Sequence, residues 1–204
     1  MQGYILRIQK VKDEDLIVYI LTNEHVVKSY RFYGARHAVI MMGYKIDFEL
    51  ISNTQFLPHL RNILHLGFSW LTDRDKLIIW QQFIRLLYDH LKDVDNVDEI
   101  YFNELDFCAS RLLKQNAKRL ILESYVRILE HEGRLHNEFE CFLCDEVISS
   151  QVSLTRAFLP AHTHCISSYA FDLSKIKYLF EYKSTLYLED DEIEQLYQIL
   201  LDGF

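Results

Sequence analysis

Proline and glycine are scarce, with two and six residues in a chain of 204. That scarcity excludes collagen-like, low-complexity and linker-rich chains. No uncharged apolar run approaches the roughly 20 residues of a membrane-spanning helix, so no membrane association is expected. The opening Met1-Gln2-Gly3-Tyr4 lacks the basic, apolar, small-residue order of a secretion signal, and a cytoplasmic protein is expected. Cationic excess is also missing. The formal net charge is −8, whereas a pure nucleic-acid module is usually basic. The phosphate-binding G-x-x-x-x-G-K-[ST] loop, the G-x-S-x-G elbow and the H-E-x-x-H helix are all absent.

Half the residues are hydrophobic and 14% are aromatic, enough to build a packed core. The charge is uneven. Residues 1–66 carry eight Lys/Arg against six Asp/Glu, a net of +2, and the rest carry fourteen against twenty-four, a net of −10. Any contact with nucleic acid is therefore expected in the first third. The basic candidates there are Arg7, Lys10, Lys12, Lys28, Arg31, Arg36 and Lys45. Tyr30, Phe32, Tyr33 and Tyr44 lie close enough in sequence to offer stacking platforms.

Five strand-like stretches occupy residues 4–8, 16–21, 26–33, 45–51 and 56–68. In the third, Val27, Ser29 and Arg31 share one side, with Val26, Lys28, Tyr30 and Phe32 on the other. Short strands at this density suit a sandwich or a small barrel such as the OB-fold. The pattern then turns helical. Asp73 is placed as an N-cap, and Leu77, Trp80, Ile84, Leu87 and Leu91 recur along one helix face. Further helices are expected over 100–114, 117–132 (ended by Gly133), 173–182 and 190–201. The fold class is α+β: a five-stranded barrel over 1–70, then a helical region over 71–204. Cys108 falls inside a helix as buried filler.

The other three of the four cysteines fall within 25 residues of one another. Cys141-Phe142-Leu143-Cys144 is followed, after seventeen residues, by His162-Thr163-His164-Cys165. Two ligands three residues apart reach one ion across a tight turn, and a second such turn completes a tetrahedron. Reduced cytosolic thiols favour metal over disulfide. Cys141, Cys144, His162 and Cys165 are thus the expected ligands of a structural zinc ion in a motif spanning 141–165. His164 competes with His162, but it adjoins Cys165, and adjacent ligands are harder to aim at one ion.

Several of these pieces together resemble the bacterial recombination mediator family RecO. They are the Asp15-to-Thr22 strand after a charged turn, the Tyr33-Gly34-Ala35-Arg36-His37 segment, the helix ending Arg127-Ile-Leu-Glu-His-Glu-Gly133, and the C-x-x-C pair that follows. The resemblance implies an N-terminal OB-fold, a helical bundle and an embedded zinc motif. It further implies binding of single- and double-stranded DNA, annealing of complementary strands, and loading of the recombinase with the partner RecR. A further implied partner is the acidic, phenylalanine-ended tail of single-strand-binding protein. Arg111, Lys114, Lys118 and Arg119 form the basic cluster in the helical region that such a tail would seek. No catalytic residue is required.

Two other classes compete with this reading. Cys144-Asp145-Glu146 with Pro160 to Cys165 loosely resembles a zinc deaminase, but Cys141 would fill the position its catalytic water needs. An acidic, zinc-stapled adaptor that binds only proteins is the alternative.

Overall fold

The alternation of the first seventy residues has a simple cause. Residues of β2 (Leu16–Leu21) point alternately to two environments: Leu16, Val18 and Ile20 are buried, while Ile17 and Tyr19 are half-buried on the other face. In the computed structural model, which describes residues 1–52, 56–94 and 96–204, this strand is one of five in a closed barrel. The others are β1 (Gln2–Lys10), β3 (Val26–Arg31), β4 (Lys45–Ile51) and β5 (His59–His65). Their order around the barrel is β1-β2-β3-β5-β4, with β4 returning to β1. Pairings are antiparallel except β3 with β5, which is parallel at Tyr30 and His59. Ile5, Val18, Ile20, Ile46, Phe48 and Leu60 fill the interior.

Three strands differ in length from the sequence expectation, the first running Gln2–Lys10 rather than 4–8. The third strand stops at Arg31 rather than Tyr33, because Tyr33 turns into the left-handed region (φ 51°) and a short helical turn follows at Gly34–Arg36. The fifth covers His59–His65 rather than 56–68. Pro58 has no amide to give the ladder, and its carbonyl instead accepts from the Tyr30 amide at 2.9 Å.

Two helices complete the first compact unit, Met1–Leu113. Helix α1 (Arg74–Leu91) starts where expected, with the Asp73 carboxylate accepting from the Asp75 and Lys76 amides. Helix α2 is Glu99–Arg111, with Cys108 fully buried. Trp80 of α1 donates its indole N–H to Gly43 O at 2.8 Å. Gly43 has φ +88°, and a Cβ there would lie 2.7 Å from that same indole nitrogen. Tyr4 and Lys45 both bond Asp106 of α2, at 2.5 Å and at 2.7 and 2.9 Å.

The second unit is Lys114–Phe204. Helix α3 (Ala117–His131) packs on α4 (Leu173–Tyr182) and α5 (Asp190–Leu201). Gly133 ends α3 in the left-handed conformation, φ +67°. Between α3 and α4 lies a small sheet that the sequence reading did not anticipate. It consists of β6 (Gln151–Leu154), β7 (Pro160–Ala161) and β8 (Phe171–Asp172), in the order β7-β6-β8. Arg119 clasps this unit internally, bonding the carbonyls of Thr185 and Leu188 at 2.8 and 2.9 Å and the Asp190 carboxylate at 2.7 Å.

Candidate metal centre and nucleic-acid interface

The two ligand-bearing turns are built by backbone hydrogen bonds. In the first, the Asp145 amide donates to Cys141 O at 2.8 Å and the Cys141 amide to Glu146 O at 2.9 Å. Asp145 takes the left-handed conformation (φ 58°) that closes this turn. In the second, the Cys165 amide donates to His162 O at 3.0 Å. The Phe142 amide reaches Pro160 O at 3.1 Å and ties one turn to the other.

Four potential ligand atoms, from Cys141, Cys144, His162 and Cys165, all lie within 4.8 Å of one another. Cys144 Sγ is 3.3 Å from His162 Nδ1 and 4.0 Å from Cys165 Sγ. A tetrahedral zinc site with bonds of about 2.0–2.3 Å has ligand-to-ligand edges of roughly 3.5–3.8 Å. The sulfur separation is far beyond the roughly 2.05 Å of a disulfide. Three soft sulfurs and an imidazole fit a closed, structural ion, and this group could hold one. His164 is outside the set, its ring stacked on His162 at 4.9 Å.

The turn also prepares its sulfur. Burial pushes the Cys141 thiol up, but backbone amides of His162, Leu143 and Cys144 donate to it and bring it down to about 6. Cys165 is pushed up to about 11 by burial and by its two sulfur neighbours. Cys141 is buried, while Phe142, Leu143 and Val147 stand exposed at the tip of the turn.

The seven basic candidates of the barrel region separate sharply. Arg7, Lys10, Lys12 and Lys28 are exposed. Arg7 and Lys28 flank Tyr19 in strand register, on β1 and β3, and so share the outward face of three adjacent strands. Arg36 is exposed but ion-paired with Glu14. Arg31 is turned inward, donating to Leu60 O at 2.9 Å and lying 3.2 Å from His37 Nε2. The Lys45 side chain is only 13% exposed and is held by Asp106. Of the aromatic candidates, Tyr30 and Phe32 pack edge-to-face at 4.9 Å, Tyr44 stacks on His65 at 4.2 Å, and Tyr33 is exposed beside Arg36.

Tyr19, Tyr88 and His59 join these groups and were not singled out in the sequence. The alternation of β2 is enough to turn Tyr19 outward. Tyr88 lies in α1, and no local pattern links it to the barrel.

In the helical candidates, Lys118 pairs with Glu194 and Arg119 is consumed by its internal clasp. Arg111 stacks on Phe107, its guanidinium carbon 3.7 Å from the ring centroid. No helix among the described residues is long and apolar enough to cross a membrane.

Residues 1–71 match the family model described as RecO N terminal. No curated protein matches the chain.

Proposed function

We propose, from the premise that the chain belongs to the RecO family through its N-terminal barrel, that it is a recombinational repair mediator. A RecO-type role in DNA repair and recombination, with DNA binding, goes with that membership. The chain binds single- and double-stranded DNA, anneals complementary strands and, with RecR, helps load the recombinase onto DNA coated with single-strand-binding protein. Residues 1–70 supply the DNA grip. Residues 71–204 form the helical region that handles RecR and the tail of single-strand-binding protein, and the motif over 141–165 holds structural zinc. No bond is made or broken, so no catalytic residue is assigned, and the protein works in the cytoplasm.

The observation that carries this reading is the matched barrel, closed at β1 and β4, with exposed cations on its outward strands. Annealing requires neutralising two phosphate backbones, which is a task for surface charge. Arg7, Lys10, Lys12 and Lys28 are placed for it. Arg36 reaches DNA by exchanging Glu14 for phosphate. Arg31 and Lys45 contribute by shaping the barrel surface around them.

The zinc-stapled adaptor is the second reading. It is favoured by the net charge of −8 and by the exposed Phe142, Leu143 and Val147 of the metal turn, among Glu140, Asp145 and Glu146. A gel shift with labelled single-stranded DNA separates the two. The mediator shifts the strand at low salt and releases it at high salt, and Arg31→Ala with Arg36→Ala weakens the shift. The adaptor leaves DNA unshifted at every salt concentration.

A further inference from the structure

The barrel's outward face carries two consecutive rows of unlike chemistry. The first is cationic and aromatic. Arg7 of β1, Tyr19 of β2 and Lys28 of β3 are direct cross-strand neighbours. Lys28 Nζ lies 5.5 Å from the Tyr19 ring centre, Tyr19 meets Tyr88 of α1 edge-on at 5.2 Å, and the Arg7 guanidinium lies 4.9 Å from the Tyr88 ring. The result is a ladder of cation, ring, ring and cation drawn from four elements. Lys92 lines the same depression, of about 550 Å³, with Asp93 the carboxylate in its wall and Asp89 3.9 Å from Lys92. Lys28 and Lys92 thus line the depression with Asp93, and Arg7 stands beside it over the Tyr88 ring.

The second row lies two residues further along each strand, about 7 Å away. Gln9, Ile17 and Tyr30 pair across β1, β2 and β3, and His59 of β5 pairs with Tyr30. Phe32 meets Tyr30 at 4.9 Å and His59 at 5.0 Å, both edge-on. With Phe56 and Leu57 these residues line an apolar cavity of about 600 Å³. Phe32 and Phe56 remain 45% and 71% exposed. Each edge-on contact uses one ring's edge and the other's face, so the surface left to a visitor is the exposed part of Phe32 and Phe56.

The geometry points to a single-stranded DNA path across β1, β2 and β3, with backbone phosphates at Arg7, Lys28 and Lys92 and a base stacked in the Phe32 cavity. This rests on the mediator reading and deepens it. It extends the interface onto α1, outside the barrel. It also moves the main contacts from Arg31 of β3 and Arg36 of the following turn to the outward face of β1, β2 and β3. An unpaired base has two π faces and fits an aromatic slot, and its phosphate falls one row away on fixed cations. Duplex DNA presents no free base, so it touches only the cationic row.

The test is fluorescence anisotropy with a labelled oligothymidylate of about 20 nucleotides and with a duplex, each over a salt series. Arg7→Ala with Lys28→Ala and Lys92→Ala removes three phosphate contacts, so the slope of log K against log salt falls by about 2 for the single strand. Phe32→Ala lowers single-strand affinity about tenfold, leaves the salt slope unchanged and leaves duplex binding unchanged. Phe32→Trp keeps the ring. Its fluorescence should be quenched by the oligonucleotide, since the native Trp70 and Trp80 are both buried. A wild-type chain that binds the oligonucleotide while all these variants match it in affinity and slope, with no quenching, overturns the path but leaves the mediator reading standing. A wild-type chain that ignores the oligonucleotide at low salt overturns both.

Discussion

Cys141 illustrates how one side chain joins several requirements. It is buried, its sulfur accepts the His162 N–H from the opposing turn, and it stands within ligand distance of three other donors. Cys141→Ser removes the sulfur but keeps the turn. If the proposed zinc is structural, this variant releases it, and Tm falls by on the order of 10 °C. Metal analysis and thermal melting of the same preparation read both effects. A chain that holds no stoichiometric metal and tolerates chelator contradicts the zinc assignment.

Lys45 shows what spacing in sequence conceals. Its charge was legible, but its partner Asp106 is 61 residues away, and only the folded chain brings them to 2.7 Å. Arg31 is hidden in the same way by a carbonyl 29 residues distant. Alternation separates Arg31 from Lys28 onto opposite sides of β3, and the fold turns the Val27, Ser29 and Arg31 side inward. Burial on that inner side is why a cation next to a turn is not a free one. The grouping of Cys141, Cys144, His162 and Cys165, by contrast, was legible because each pair is local.

Helix and strand positions followed closely from local rules, since caps and periodicity are themselves local. Asp73 accepts from the amides of Asp75 and Lys76, both at 3.2 Å. Asp73→Ala is expected to destabilise the chain by about 1 kcal/mol in urea denaturation, with the slope against denaturant unchanged. The small sheet around the metal turns was not legible. Its strands are four, two and two residues long, too short for a period of two to register. Gly43 is a stronger constraint than a cap. Its positive φ and the indole above it leave no room for a methyl group. Gly43→Ala is expected to destabilise by about 1–3 kcal/mol, read in the same assay.

Below pH 7 the shifted carboxyls and His65 act in one direction. A side-chain bond from Tyr30, with the Tyr33 amide, holds the Asp15 carboxyl below its ordinary value. Asp172 is lowered by the Ser174 hydroxyl and then its amide, and Glu194 by Lys118 and then Gln198. These depressed carboxyls contribute stability above the unfolded carboxylate range of about 4, and it is lost as pH falls through their folded values. Burial lowers His65 as well. Its neutral form is the favoured one, so its share of stability is complete above about 6.5 and declines as pH falls below that. Tm should therefore drop on acidification from pH 7 in two stages, and His65→Phe should flatten the first. A Tm that rises between pH 7 and pH 5 contradicts this assignment.

The distribution of charge sets the barrel region apart from the rest of the chain, net +2 over residues 1–66 against −10 beyond them. A net-acidic protein is kept off nucleic acid except where cations are concentrated, and here they stand exposed on the outward strands of the barrel. The most direct measurement is strand annealing: complementary DNA strands are coated with single-strand-binding protein and mixed with the purified chain, with and without RecR. Duplex formation that depends on the chain, is modulated by RecR and collapses as salt rises is the predicted result. Coated strands that remain single at low salt, whether or not RecR is present, would contradict it.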